Sequence, residues 1–195
     1  MKSEATLPKF SIRAIVLTAL LTALTAVLAQ IAVPIPVSPV PLSLGMVAVY
    51  ATGVLLRPRN ALLAQVCYLL LGAFGLPVFG GFKGGLSALL GPTGGYLMVY
   101  PLMALLISFV LNRKPIPASE KRGPVLIKTA LSIVVAHLLL YAGGTAWLSI
   151  SASLSFEKAL ALGVTPYVVM DAAKIVLCVM VLPLLRRILA SRGAL

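Results

Sequence analysis

Residues 14–33 read AIVLTALLTALTAVLAQIAV, twenty positions without a charged side chain between Arg13 and Pro34. As a helix this run reaches about 30 Å, the thickness of a bilayer's hydrocarbon core. It is longer than the roughly 7–15 apolar residues of a signal peptide, although Lys2, Lys9 and Arg13 precede it, so it reads as a retained first span. It forms most of the first of six apolar segments, at roughly 12–33, 42–56, 61–76, 95–111, 124–149 and 166–185, each bounded by Pro, Gly or charge. The pattern predicts an all-α, polytopic membrane protein with six transmembrane helices in a single domain over 1–195. The run at 42–56 is short for a span. It follows Pro34-Ile35-Pro36-Val37-Ser38-Pro39-Val40-Pro41, which cannot continue a helix and is expected to cap something at one membrane face.

Composition agrees with the runs. Of 195 residues, 61% are hydrophobic and 10% charged, against about 25% charged in an average soluble domain. That surface cannot be clothed for water, which excludes a soluble enzyme, a disordered chain and a disulfide-built secreted fold. The net charge of +12 would suggest nucleic acid in a soluble protein, but here it is read as basic loops facing lipid heads. With six spans and both termini cytoplasmic, 13 of the 16 Lys and Arg fall inside. Lys83 and Lys158 lie outside and Lys174 within a span. The positive-inside rule therefore sets this orientation. Cys67 and Cys178 fall in apolar runs and read as small hydrophobes.

Ten of the 13 aromatic residues sit in the outer half or its loops, among them Tyr68, Phe79, Tyr96, Tyr141 and Tyr167. An aromatic belt decorates both interfaces, so the imbalance suggests an outward-facing, aromatic-lined cavity; an asymmetric belt is the alternative. In the last run, Asp171 and Lys174 lie three residues apart on one helix face. A charge in hydrocarbon costs at least about 2.5–3.5 kcal/mol on insertion scales, which makes the pair a candidate binding site. It can equally be an ion pair joining helices. As a ligand site it offers acceptors and donors together, suited to a cyclic urea or amide.

The stretch from Gly72 to Tyr96 is dense in glycine, which permits tight turns and close approach to a ligand, or makes a plain connector. It lacks the phosphate-loop spacing. Lys83 within it could attract an anionic substrate or be an ordinary surface lysine. In the first run Ala14, Thr18, Thr22 and Ala26 recur every four residues, and Ala19 with Ala23 has small-x-x-x-small spacing, a strip for another helix of this chain or of a partner. Catalysis is not expected. His137 is the single histidine, read as an interhelical hydrogen-bonding residue, and Asp171 is the single intramembrane carboxylate. No metal or cofactor is expected. A serine beside His137 stays open, with no spacing that places one there.

Four stretches in this order, Ile35-Pro36-Val37-Ser38-Pro39-Val40-Pro41, Leu71-Gly72-Ala73-Phe74-Gly75-Leu76-Pro77-Val78-Phe79, Gly91-Pro92-Thr93-Gly94-Gly95-Tyr96 and Asp171-Ala172-Ala173-Lys174, resemble the BioY family, the biotin-specific substrate-binding components of energy-coupling factor transporters. The resemblance runs from about Arg13 to Pro183. It implies a six-helix bundle in the bacterial plasma membrane that captures biotin from outside with high affinity and docks on a transmembrane coupling protein with two ATPases. The implied ligand-binding residues are Asp171, Lys174, Tyr167, Phe79, Lys83, Tyr96, Gly94 and Gly95, with the ureido ring at Asp171 and the Phe74–Tyr96 loop as a lid. Ala19 and Ala23 would face the coupling protein. Many relatives carry Thr-Leu-Gln where this chain has Ser43-Leu44-Gly45, so a side-chain amide is missing from the second span. A component for another vitamin and a non-transporting membrane scaffold are the alternative functions.

Overall fold

The computed structural model describes residues 11–113 and 122–191. The helices are α1 (Ile12–Gln30), α2 (Gly45–Leu55), α3 (Pro58–Ala73), α4 (Leu86–Leu90), α5 (Gly94–Asn112), α6 (Arg122–Ser151), α7 (Phe156–Gly163) and α8 (Val168–Ser191). Each of the six apolar runs contains most of one helix, with the end of the first and the start of the second forming short strands instead. Prolines and charges set the breaks: Pro58 opens α3, and α1 stops before the proline run because those residues cannot supply helical N–H donors. Two short helices, α4 and α7, occupy stretches that sequence patterning reads as loops. α7 is opened by Ser155, whose side chain accepts from the Lys158 backbone N–H.

Four helices, α1, α5, α6 and α8, are long and apolar enough to cross a membrane. α2 and α3, with 11 and 16 residues, reach only about 16 and 24 Å at the helical rise. α2 survives its shortness by being enclosed. Every residue from Gly45 to Leu55 except Val47 is buried, with α1, α3, α5 and α8 around it. Its last carbonyls end inside protein, where no water satisfies them. Asn112 at the end of α5 does so instead, its Nδ2 donating to Gly53 O, Val54 O and Leu56 O at 3.1, 2.9 and 2.9 Å. Ser108 Oγ donates to Leu56 O at 2.5 Å.

Arg186, counted above among the basic residues of the loops, is instead buried at 1% exposure. Its Nε donates to Asn112 Oδ1 at 2.9 Å and an Nη to Leu111 O at 2.7 Å. These bonds gather the ends of α2, α5 and α8, and the start of α3 with Arg57 and Arg59, at one end of the bundle.

α5 is the hub, packed on α2, α3, α4 and α6. Its contact with α6 is close because glycines face large side chains in both directions. A Cβ on Gly95 would stand 2.1 Å from Trp147 Cβ, and one on Gly144 would stand 2.3 Å from the Tyr96 ring. The outward faces are apolar, for example Val16, Leu20 and Val27 on α1, Leu131 and Leu138 on α6, and Val176 and Met180 on α8. Contiguous apolar exposure of this extent suits lipid rather than water.

At the opposite end from Arg186, the proline run folds back as a hairpin in which β1 (Ala32–Val33) pairs antiparallel with β2 (Leu42–Ser43). Beside it lies the glycine-rich loop between α3 and α4. Gly75 and Gly85 take φ of 100° and 86°, a conformation that glycine adopts without steric cost. Between them, Phe79 and Lys83 exchange backbone hydrogen bonds of 2.9 and 3.2 Å. The glycine-rich loop is tied down by side chains. Gln30 Oε1 at the end of α1 accepts from Phe82 N at 2.8 Å, and Tyr68 Oη donates to Val78 O at 3.2 Å.

Candidate functional site

Beneath the hairpin and the glycine-rich loop lie two adjoining cavities of about 60 and 50 Å³. Val40, Pro41, Ser43, Tyr96 and Tyr100 belong to both. The first extends toward Tyr68, Phe79 and Lys83. The second extends toward Tyr141, Tyr167 and Asp171. The two cavities thus share a wall, and together they form a cleft of two lobes, one lined by an amine and the other by a carboxylate.

The carboxylate end has the denser chemistry. Asp171 is 2% exposed, and Lys174 is also buried. Lys174 Nζ donates to Asp171 Oδ1 at 2.9 Å and to Ser43 O at 2.9 Å, so the lysine joins α8 to the hairpin. Tyr141 Oη donates to Asp171 Oδ2 at 2.8 Å. His137 Nε2 stands 3.3 Å from the same oxygen, but without the direction of a well-formed hydrogen bond. The other ring nitrogen, Nδ1, is 2.6 Å from Tyr50 Oη. Three helices therefore converge on one carboxylate: α8 carries it, α6 supplies Tyr141 and His137, and α2 supplies Tyr50 behind them. The second lobe is lined by acceptors on Asp171 and by the Tyr141 hydroxyl, with the Lys174 amine bonded to Asp171 but outside the lining, a set of acceptors and donors that complements a small ligand bearing both N–H and C=O groups.

The residues named from sequence separate into distinct places. Asp171, Tyr167 and Tyr96 line the second lobe, while Phe79, Lys83 and Tyr96 line the first. Lys174 lines neither lobe and stands on Asp171 as its partner. Gly94 and Gly95 line neither lobe. Gly94 is set against the backbone of Leu89, where a Cβ would come within 1.7 Å of the carbonyl oxygen, and Gly95 against Trp147. Both therefore act on the packing that carries Tyr96. Ala19 and Ala23 lie on the exposed face of α1, while Thr22 of the same helix turns inward and donates to Ala64 O at 3.0 Å.

Six of the ten outer aromatics line the cleft: Tyr68, Phe79, Tyr96, Tyr100, Tyr141 and Tyr167. Phe74, Phe82 and Phe156 are exposed. Several aromatic side chains also staple the loops around the cleft, because a buried phenol or indole brings a polar tip that needs a partner. Tyr96 Oη donates to Gly163 O at 3.1 Å, Trp147 Nε1 to Gly91 O at 2.9 Å, and Tyr167 Oη to Val40 O.

Sequence reasoning does not find Tyr50 or Tyr141 as partners of the central pair. It gives His137 as an interhelical bonding residue, which its bond to Tyr50 matches, without connecting it to Asp171. It also misses Gln65, whose Nε2 donates to Thr25 Oγ1 at 3.1 Å and Thr52 Oγ1 at 3.0 Å, linking α1, α2 and α3. Among the described residues no cluster of three or more His, Cys, Asp and Glu could hold a metal ion.

The model of the BioY family matches residues 1–191. The chain is 40% identical to a probable biotin transporter BioY of Pyrococcus horikoshii over 158 residues, which cover 81% of this chain and 86% of that protein. It is 38% identical to the biotin transporter BioY2 of Lactococcus lactis over 164 residues, covering 83% of each. Among solved structures, the crystal structure of the S-component for biotin from an ECF-type ABC transporter superimposes with a TM-score of 0.78 at 28% identity. That superposition covers 90% of this chain and 92% of the other. These relatives are named as transporters and transporter components rather than as enzymes.

Proposed function

The chain belongs to the BioY family, and on that premise we propose that it is the biotin-binding component of an energy-coupling factor importer. The observation that carries the proposal is Asp171, which lines a cavity at the loop-covered end of the bundle and is paired there with the buried Lys174. The ureido ring of biotin offers N–H groups to Asp171 and a carbonyl to Lys174 or Tyr141. Its apolar body lies against Tyr96, Tyr100 and Tyr167, and its carboxylate extends toward Lys83 in the first lobe. Phe79 walls that lobe. Gly94 and Gly95 contribute by letting α5 hold Tyr96 close to α6.

The two lobes are small beside the roughly 300–1,000 Å³ of ligand clefts in general. Admitting a bicyclic ligand therefore requires their shared wall, Pro41 and Ser43 against Tyr96 and Tyr100, to part. The hairpin and the glycine-rich loop are the segments that can move without breaking a long helix, so we assign them the role of lid.

The membrane arrangement in this reading is six crossings of the bacterial plasma membrane, with α2 and α3 as short, protein-wrapped members, in a single domain over 1–195. The basic end with Arg57, Arg59 and Arg187 faces the cytoplasm with both termini, in keeping with the positive-inside rule. The cleft then opens outward. Ala19 and Ala23, small and exposed on α1, offer close approach to the transmembrane coupling protein. Two ATPase subunits supply the energy.

The test is retention of labelled biotin by purified protein in detergent. Unlabelled biotin is expected to displace the label, and thiamine or riboflavin is not. Displacement by either of those vitamins would assign the site to a different ligand, and no retention by folded protein would reject it.

A further inference from the structure

Asp171 is held from the cleft side and from behind, and the rear contact has an unused donor. His137 is 4% exposed and Tyr50 is fully buried. Tyr50 Oη has Nδ1 of His137 as its hydrogen-bond partner at 2.6 Å and no other among the described residues. The hydroxyl proton must therefore point at Nδ1, because the reverse arrangement would leave it buried without an acceptor. Nδ1 is then the acceptor of the ring, and the ring proton sits on Nε2. Nε2 has no well-directed partner, yet it stands 3.3 Å from Asp171 Oδ2. The same oxygen accepts from Tyr141 Oη, and both Tyr141 and Asp171 line the cleft, whereas His137 does not. The His137 ring meets the Tyr141 ring edge-on, with centroids 4.3 Å apart, so the two rings pack directly against each other.

We infer that His137 is a positioning residue for ligand recognition: fixed by Tyr50, it keeps an Nε2–H within 3.3 Å of Asp171 Oδ2 and by that charge–dipole attraction favours the carboxylate orientation that faces the cleft. Tyr141 Oη occupies the cleft-side position on that oxygen which a ligand N–H would take. When the ligand's donor displaces it, the histidine donor behind remains and the carboxylate keeps its orientation. The inference rests on the reading of the cleft as a biotin site.

The chain has a single histidine, so protein made with ring-labelled histidine and a purification tag free of histidine gives one assignable pair of ring nitrogens. Nitrogen NMR of the wild type is expected to show the proton on Nε2; a proton on Nδ1 would overturn the inference. His137→Gln, whose amide reaches the Nε2 position, is expected to keep biotin affinity within about threefold. His137→Asn, whose amide reaches only the Nδ1 position, is expected to lose about tenfold or more, the scale of a hydrogen bond to a charged group. In an Asp171→Asn background the His137→Asn loss is expected to vanish, because the group being positioned has gone. Equal affinity of His137→Asn and wild type, or a loss that persists undiminished in that background, would contradict the positioning role while leaving biotin binding in place. A wild type that binds no biotin would remove the functional reading and this inference with it.

Discussion

Asp171 and Lys174 are each other's condition for staying charged in the bundle. Ionised groups taken out of water cost several kcal/mol apiece, and their mutual attraction offsets this only when the remaining bonding capacity is filled. Here Tyr141, Ser43 O and the nearby His137 fill it. Removing one partner and removing both should therefore have opposite consequences. Lys174→Met leaves an uncompensated carboxylate and should destabilise the protein by about 3–5 kcal/mol, read as a large drop in melting temperature in detergent. Asp171→Leu combined with Lys174→Met should melt at or above that single variant and bind no biotin. A double variant that still bound biotin would reduce the pair to a helix fastener. Asp171→Asn, which keeps the shape and one acceptor, should express and fold while binding biotin about 10- to 100-fold more weakly.

At the scale of the elements, α2 is a helix too short to cross, with its end capped by side chains of another helix. Asn112 serves three carbonyls with the two N–H donors of its amide, one of them shared between two oxygens, while its own oxygen is occupied by Arg186. Asn112→Leu should therefore cost about 2–3 kcal/mol. Asn112→Asp should not rescue it, since a carboxylate cannot donate to carbonyls; a wild-type melting temperature in either variant would contradict the capping role. The close approach of α5 to α6 makes Gly95→Ala destabilising by about 1–3 kcal/mol through overpacking against Trp147. The extents of the long helices were legible in the sequence because prolines, glycines and charges punctuate apolar runs. The short helices α4 and α7 were not, because five and eight residues carry too little periodicity to stand out from a polar, glycine-bearing loop. The central pair was legible because a charge in an apolar run is locally anomalous. Its partners were not, because Tyr50 and His137 are 87 positions apart, and no local pattern specifies which of several tyrosines a histidine meets.

The whole molecule has two unlike ends. One gathers Arg57, Arg59 and Arg187 around the buried Arg186–Asn112 contact; the other carries the hairpin, the glycine-rich loop and the cleft. If the basic end is cytoplasmic, a charged, membrane-impermeant thiol reagent should discriminate the two in intact cells. In a background with Cys67 and Cys178 replaced by serine, Glu157→Cys on α7 should label from outside. Arg57→Cys should label only after permeabilisation. The reverse pattern would invert the topology and turn the cleft toward the cytoplasm. The apolar lipid face and the enclosed α2 would be unaffected by such an inversion, which is why the fold and the direction of capture need separate tests.

The proposed function depends on one event, the binding of a ureido ring at Asp171. Calorimetric titration of the purified wild-type protein with biotin in detergent measures that event directly. The account predicts saturable, one-site binding with a submicromolar dissociation constant. A protein that melts cooperatively yet takes up no biotin across that range would contradict it.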